Sequence, residues 1–208
     1  MLSLRERFAS AGALLRNRRF TIIIIACGMI QAAHAFYYGF STLTWRAQGI
    51  PADVVGLLWA FGVAFEVAFF WCLPLVERRV RPEVLILIGG SGAAIRWFLM
   101  GLGPTGWVLW PIQAMHALSF ASAHVGAMRL ISREAPEASA GMAQTLYAAL
   151  SGGVFLGLST LLSGVLYDAY GAYGYWAMSV LAAAGASLAL VLLTPAPAKV
   201  PQLREPRP

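Results

Sequence analysis

Six long apolar stretches, separated by short polar or charged breaks, constrain this chain more than any other feature of its sequence. Each approaches the ~20 residues that an α-helix needs to cross the hydrocarbon core of a bilayer. We predict transmembrane helices, called spans one to six, over residues 20–43, 54–75, 84–102, 107–130, 140–166 and 173–193. Because a backbone inside lipid must satisfy its own hydrogen bonds, the predicted fold class is an all-α membrane protein.

The composition excludes an ordinary soluble domain. Hydrophobic residues make up 59% of the chain and charged residues 12%, whereas soluble domains carry about 25% charged residues. The net charge of +6 could indicate a nucleic-acid partner. The basic residues lie at the ends of the apolar stretches, however, so we predict a lipid bilayer as the partner and no nucleic acid.

The distribution of basic residues predicts the orientation of the spans, because cytoplasmic loops carry an excess of lysine and arginine. Thirteen of the 15 basic residues fall on one side: Arg5, Arg7, Arg16, Arg18, Arg19, Arg78, Arg79, Arg81, Arg129, Arg133, Lys199, Arg204 and Arg207. Arg46 lies on the other side and Arg96 lies within span three. We therefore expect a multi-pass protein of a bacterial inner membrane with both termini in the cytoplasm.

This topology divides the chain into three parts. Residues 1–19 are predicted to be a basic cytoplasmic linker or surface helix, and residues 20–193 the six-helix bundle. Residues 194–208, which contain Pro195, Pro197 and Pro201, are predicted to be a disordered cytoplasmic tail.

Span two carries an acid near its centre, which is unusual for a membrane helix. An acidic side chain at such a depth costs on the order of 3 kcal/mol, so it generally faces a bundle interior or a water-filled cavity. Trp59, Gly62 and Glu66 are three and four residues apart and therefore share one helix face. The ionisable residues at membrane depth all lie on spans one to four: His34, Glu66, Arg96, His116 and His124. Spans five and six therefore read as scaffold.

These residues suggest one site that couples proton movement to a bound solute. The predicted proton-coupling residues are Glu66, Arg96, His116 and His124, where Glu66 takes up the proton, Arg96 favours the carboxylate and the histidines relay protons. The predicted substrate-binding residues are Gln31, His34, Tyr38, Trp59 and Gln113. The first three lie within an arc of about 60° on span one. No cofactor is expected.

Other interpretations stay open at the level of sequence. Glu66 and Arg96 could form a purely structural ion pair. His34, His116 and His124 could ligate a haem or a metal ion, because neutral imidazoles are good ligands. Ser187 could belong to an intramembrane serine protease, although span six has no histidine. The chain could also be a non-transporting scaffold or a truncated gene fragment.

Span five contains a pattern of small residues. Gly153 and Gly157 are spaced as GxxxG, and small residues let membrane helices approach each other closely. GxxxG is common in membrane helices, so the pattern supports helix packing and nothing sharper.

One run of span one is specific enough to suggest a family. It reads Gln31-Ala32-Ala33-His34-Ala35-Phe36-Tyr37-Tyr38-Gly39-Phe40-Ser41, followed by Trp45-Arg46-Ala47-Gln48-Gly49-Ile50. It resembles the carboxy-terminal half of major facilitator superfamily transporters, in the phenylpropionate-transporter-like branch related to nucleoside and oligosaccharide proton symporters. The resemblance extends from about Arg18 to Leu193.

The resemblance implies a fold of two six-helix halves around a central cavity, with this chain as the seventh to twelfth helices. It implies protons, a small organic solute such as an aromatic acid, nucleoside or sugar, and a second six-helix half or a homo-oligomer as partners. In related sugar symporters, an acid, an arginine and a histidine on the eighth, ninth and tenth helices serve proton coupling. Glu66, Arg96 and either His116 or His124 occupy similar helices. The acid that those proteins also carry on the tenth helix has no counterpart in span four.

Overall fold

A computed structural model of the chain describes residues 4–194. The predicted tail therefore lies outside the described residues except for Thr194. Every regular element between residues 4 and 194 is helical. The α-helices are α1 (Leu4–Arg16), α2 (Arg18–Ala32), α3 (Ala35–Ala47), α4 (Ala52–Arg79), α5 (Pro82–Gly101), α6 (Leu109–Ala114), α7 (Ala123–Glu134), α8 (Ala140–Tyr147), α9 (Leu156–Tyr170) and α10 (Gly174–Ala189). Two segments, Ala117–Ser122 and Ala148–Phe155, are π-helical.

Four helical stretches of the described chain are long and apolar enough to cross a membrane. They are Arg18–Ala47, Ala52–Val76, Pro82–Gly101 and Glu137–Leu193. The last of these turns at Gly171, whose φ of 56° lies in the left-handed region that glycine adopts without strain. The stretch predicted as span four is not among the four, because it is interrupted.

Helices α4 and α5 reach further toward the basic end than the sequence predicted. The residues Glu77-Arg78-Arg79, expected in a loop, continue α4, so only Val80 and Arg81 separate it from α5. Glutamate and arginine are good helix formers, and arginine near a helix C-terminus is favoured by the helix dipole. Pro82 occupies the first turn of α5, where its missing N–H has no cost.

Span one was predicted as one helix, but it breaks between α2 and α3 at Ala33 and His34. The Nδ1 atom of His34 lies 3.1 Å from the carbonyl oxygen of Ile30, four residues earlier. The backbone N–H of His34 donates to the carbonyl of Gln31 instead, at 3.0 Å. The imidazole thus takes a carbonyl that a regular helix would give to the backbone, and the helix tightens there.

The predicted spans four and five are not regular α-helices either. Span four consists of a 3₁₀ turn (Gly106–Val108), α6, the first π segment and α7, and span five contains the second π segment between α8 and α9. A π turn inserts an extra residue, so it rotates the helix face that follows and leaves backbone groups free for other partners. The rings of His116, Phe120 and His124 nevertheless stack in series along span four, at 5.5 and 6.1 Å.

The centre of the bundle is α5, which packs against α10, α7 and α2. A Cβ added to Gly89 would lie 2.5 Å from the Cβ of Ala123, and one added to Gly126 would lie 2.7 Å from the carbonyl oxygen of Pro82. These helices touch through glycines because no side chain fits between them. By contrast, 17% of the most apolar window of α4 is buried, against 78% for the stretch Arg18–Ala47.

The GxxxG residues of span five make no close helix–helix contact within the described part of the chain. A Cβ added to Gly153 or Gly157 would meet no atom within 4 Å, and both residues are exposed. The close approaches fall at glycines outside this pattern, because GxxxG indicates small volume and does not specify which face meets a neighbour.

Charged residues join several helix ends at the basic side of the bundle. Arg19 at the start of α2 lies 2.7 Å from Glu134 at the end of α7 and 3.6 Å from Glu83 at the start of α5. Its guanidinium also donates to the carbonyl oxygens of Leu192 and Thr194, at 2.9 and 2.7 Å. The start of α2, the start of α5, the end of α7 and the end of the described chain therefore lie together.

The packing at α5 predicts opposite outcomes for two glycine substitutions. Gly89→Ala should destabilise the purified chain by about 1–3 kcal/mol, because its methyl group overpacks the contact with α7. Gly157→Ala is the matched control and should leave stability unchanged or raised, since its position is open and alanine favours a helix. Thermal unfolding of both variants in one detergent measures the difference. Equal stability of the two variants would contradict the close packing.

Candidate functional site

A guanidinium with no exposed surface lies inside the bundle, on α5. The side chain of Arg96 is fully buried and makes four hydrogen bonds. Its Nε donates to the carbonyl of Ile112 at 3.1 Å, and its Nη2 donates to Oε1 of Gln113 at 2.9 Å. Its Nη1 donates to Nδ1 of His116 at 2.9 Å and to Oγ of Ser119 at 3.3 Å. The residues that predicted span four contributes therefore surround the cation.

Two aromatic rings complete the enclosure of this cation. The guanidinium carbon of Arg96 lies 4.6 Å from the ring centroid of Tyr37 and 4.5 Å from that of Trp97. Such cation–π contacts contribute about 2 kcal/mol when the cation is desolvated. The arginine is held from α3, α5 and predicted span four at once.

The sequence prediction that Glu66, Arg96 and His116 come together agrees with this geometry. Oε2 of Glu66 lies 3.2 Å from Nε2 of His116. Arginine can only donate hydrogen bonds, so Nδ1 of His116 must present its lone pair to Arg96. The proton of a neutral His116 therefore sits on Nε2 and points to Glu66. The acid and the arginine are joined through one uncharged imidazole and not by a direct ion pair.

Gly62 lies on the face of α4 that meets predicted span four. A Cβ on Gly62 would lie 3.4 Å from the carbonyl oxygen of Gln113 and 3.6 Å from the Cβ of His116. Trp59, on the same face, packs its ring 4.4 Å from that of Tyr37. The predicted shared face of Trp59, Gly62 and Glu66 is confirmed, and it turns toward α3 and predicted span four.

His34 joins the same network from the other side with the opposite tautomer. Its Nδ1 faces the carbonyl of Ile30, which can only accept, so the proton of a neutral His34 sits on Nδ1. Its Nε2 can then only accept, and it lies 3.3 Å from the hydroxyl oxygen of Ser119, whose single hydrogen is shared between this nitrogen and the carbonyl oxygen of His116. The oxygen of Ser119 in turn accepts from Arg96. Ser119 therefore links the arginine to the second imidazole.

Two members of this network are not among the predicted site residues: Ser119 and Tyr37. The hydroxyl of Tyr37 donates to Oε1 of Gln113 at 2.9 Å, so this oxygen accepts from both Tyr37 and Arg96. Ser119 is three residues after His116, and that spacing alone indicates a shared helix face. Tyr37 has no comparable signal, because its neighbour Tyr38 is equally polar.

A cavity of about 590 Å³ lies beside the network, between α2, α3, α7 and the second π segment. Its lining residues are Gln31, Tyr38, Phe120, His124, Met128, Gln144, Tyr147, Ala148, Ser151, Gly152 and Leu156. The ring of Phe120 stacks on that of His116 at 5.5 Å, so one aromatic side chain separates the cavity from the network.

The predicted site residues fall into two groups. Glu66, Arg96, His116, His34 and Gln113 belong to the network, while Trp59 packs against it. The cavity wall contains the others: Gln31, Tyr38 and His124. His124 stacks on Phe120 at 6.1 Å and has no hydrogen bond to the network among the described contacts.

The arrangement offers little to a metal ion. No group of three or more histidine, cysteine, aspartate or glutamate side chains within residues 4–194 is placed to hold one. The rings of His34 and His116 are 5.8 Å apart, and each has both nitrogens within hydrogen-bonding distance of protein atoms.

Comparison with known proteins decides the family. A profile of the MFS_1 like family matches residues 3–178. The chain belongs to the MFS_1 like family. Members of the major facilitator superfamily are multi-pass membrane proteins, in agreement with the long apolar helices of this chain.

Two curated relatives of this MFS_1 like chain are named as transporters. The chain is 33% identical over 174 residues to the "Probable 3-phenylpropionic acid transporter" of Escherichia coli (strain K12). The matched residues make up 83% of this chain and 45% of the relative. The chain is 22% identical over 182 residues to the "Uncharacterized transporter YwbF" of Bacillus subtilis (strain 168), covering 86% of this chain and 45% of that relative. The chain thus spans about half the length of these relatives.

The hydrogen bonds of the network predict opposite tautomers for its two imidazoles. Nitrogen-15 spectra of the histidine-labelled chain in lipid should show a protonated Nε2 for His116 and a protonated Nδ1 for His34 at neutral pH. Only the double variant Arg96→Met/Glu66→Leu should release the preference of His116, because either partner alone fixes it, whereas His34 should keep its tautomer because the carbonyl of Ile30 still faces it. Finding the same tautomer in both residues would refute the assignment.

Proposed function

We propose that the chain is one half of a proton-coupled symporter, a secondary transporter for a small organic solute. The observation that carries this proposal is the hydrogen-bonded path Glu66–His116–Arg96 beside a solute-sized cavity. The side chain of Glu66 is 19% exposed, so its carboxyl group can exchange a proton, whereas Arg96 is fully buried. The chain carries out no covalent chemistry on the solute in this proposal.

Coupling follows from what protonation does to this path. The Glu66 carboxylate accepts the Nε2–H of His116 and, through the neutral ring, opposes the charge of Arg96. When Glu66 takes up a proton, its negative charge disappears and the acid itself becomes a hydrogen-bond donor. The hydrogen bond from His116 then loses its charge assistance. This lets His116 and Arg96 change partners, and Phe120, which stacks on His116, carries the change to the cavity wall. A solute that prefers one arrangement binds together with the proton.

We place the six predicted spans in a bacterial inner membrane, with the basic side in the cytoplasm. The cluster around Arg19 supports this topology, because it gathers the start of α2, the start of α5, the end of α7 and residues 192–194 at one side. Those ends belong together if the predicted spans alternate in direction.

A second six-helix half is the partner in this proposal. The chain covers 45% of each relative, and α4 presents a largely uncovered apolar face with Val63, Val67 and Trp71 exposed. For the solute class we propose an aromatic acid, nucleoside or sugar, of which the name of the first relative supports the aromatic acid.

Glu66→Gln tests the role of the acid directly. The chain is expressed from its own locus, so that its natural partner is present. The variant should lose proton-driven accumulation because a glutamine amide does not titrate. The solute concentration inside the cell should then only equal that outside, a ratio of about one. Solute exchange should persist. Radiolabelled uptake into cells, with and without a protonophore, measures both.

Asp53→Asn is the matched control for that experiment. It removes an exposed acid from the first turn of the same helix, away from the network, so accumulation should remain at the level of the unmodified chain. Undiminished proton-driven accumulation by Glu66→Gln would reject the coupling role.

The topology is tested with reporter fusions. Alkaline phosphatase, which is active outside the cytoplasm, should be active when fused after Thr105 and inactive when fused after Ser139. A fluorescent protein that folds in the cytoplasm should show the reverse pattern. Activity of both phosphatase fusions would contradict six alternating spans.

A further inference from the structure

Two buried polar atoms in the wall of the cavity have no hydrogen-bond partner among the described residues. They are Oε1 of Gln31 and the hydroxyl oxygen of Tyr147. Gln31 is 8% exposed and Tyr147 is 3% exposed. Buried polar groups are almost always paired, because losing water without replacement costs about 1–3 kcal/mol. Two such exceptions in one wall point to a group that arrives from outside the chain.

The amide of Gln31 is fixed in the orientation that leaves its oxygen free. Its Nε2 lies 3.4 Å from the carbonyl oxygen of Phe120, in the first π segment. A carbonyl can only accept, so the NH₂ group of Gln31 must face Phe120 and Oε1 must point away from it. Gln31 therefore offers an acceptor, and the group that binds it must donate a hydrogen.

The hydroxyl of Tyr147 complements this acceptor. Gln31 and Ser151 are its polar neighbours and lie close enough to interact with it, but neither is placed to form a hydrogen bond of good geometry with its oxygen. A phenol can donate its own hydrogen to a ligand oxygen. One ligand hydroxyl can serve both residues, because it donates to Oε1 of Gln31 and accepts from Tyr147, whereas a carboxylate has no hydrogen to donate.

The charge of the wall agrees with an uncharged ligand group. None of the residues that line the cavity is Asp, Glu, Lys or Arg. Arg96 is fully buried behind its own partners. A carboxylate placed deep in this cavity would therefore lose water without meeting a fixed cation, which is costly.

The remaining wall suits a flat ring. Phe120 and His124 are nearly parallel, with 7° between their planes, and Tyr38, Met128 and Leu156 add apolar surface. Aromatic rings stack on such faces in offset or edge contacts.

We propose that this cavity binds the uncharged end of an aromatic solute, a ring that carries a hydroxyl group, with that hydroxyl bridging Gln31 and Tyr147. This proposal rests on the proposed function, which requires that a solute binds. It adds the chemistry of the end of the solute that enters this half of the symporter. The two wall atoms are covered in the empty chain, so the ligand reaches them when side chains of the wall turn aside, as side chains at binding sites commonly do.

The test compares two compounds that differ in one group. Binding of 3-phenylpropionate and of 3-(4-hydroxyphenyl)propionate to the full chain in lipid nanodiscs is measured by isothermal titration calorimetry. Both faces of a nanodisc meet the same solution, so no proton gradient is present. The hydroxylated compound should bind about tenfold tighter, the ratio expected for a hydrogen bond gained at both partners. Tyr147→Phe and Gln31→Leu should each remove most of that preference, measured as the ratio of the two affinities within each variant.

Gln144→Leu is the matched control, because it removes another amide from the same wall and should retain the preference. Thermal unfolding adds a second readout. If the Tyr147 hydroxyl is unpaired without ligand, Tyr147→Phe unfolds at the same or a higher temperature than the unmodified chain; a lower temperature means that the hydroxyl is structurally bonded and overturns the proposal.

Three binding results would also overturn it: equal affinities for the two compounds, a preference that survives both substitutions, or no binding of either compound. Because these measurements use no proton gradient, they are separate from the test of coupling. Glu66→Gln can lose accumulation while the ring-hydroxyl preference remains, or the reverse.

Discussion

A guanidinium with no contact to solvent, inside an otherwise apolar helical bundle, must be satisfied entirely by the protein around it. Arg96 meets this requirement with hydrogen bonds to backbone, amide, imidazole and hydroxyl groups and with two aromatic faces. All of these partners come from other parts of the chain except Trp97. The position of α3 and of predicted span four relative to α5 is therefore tied to one cation.

The helix irregularities lie at the same level of the bundle as this cation. His34 takes the carbonyl of Ile30, Arg96 takes that of Ile112, and Gln31 takes that of Phe120. Each of these carbonyls lies in or next to a break in α-helical geometry. Departures from regular helix are tolerated inside a membrane protein where side chains re-satisfy the freed backbone groups. Here the polar side chains and the broken helices support each other.

Much of the fold and part of the site could be predicted from the sequence. Spacing of three and four residues places Trp59, Gly62 and Glu66 on one face of a regular helix, and the structure agrees because α4 is uninterrupted. Sequence reasoning did not foresee the π turn of span four, although the rings of His116, Phe120 and His124 still stack in series there. It also missed the break at His34, which depends on a side-chain hydrogen bond that no periodicity reveals. The GxxxG pattern did not locate the close helix contacts for a similar reason. It shows which residues are small, but it does not show which residues of another helix lie next to them.

The glycine contacts of α5 have a consequence for how relatives of this chain can diverge. Where helices meet without an intervening side chain, a larger residue does not fit. Substitutions to larger residues at the contacts between α5, α7 and α10 therefore destabilise the fold. The cavity is walled instead by residues of α2, α3, α7 and the second π segment, whose small members Gly152 and Ala148 have space beside them. Substitutions that change which solute is bound should therefore occur among the residues that face the cavity. The small residues at the contacts of α5 with α7 and α10 should stay small.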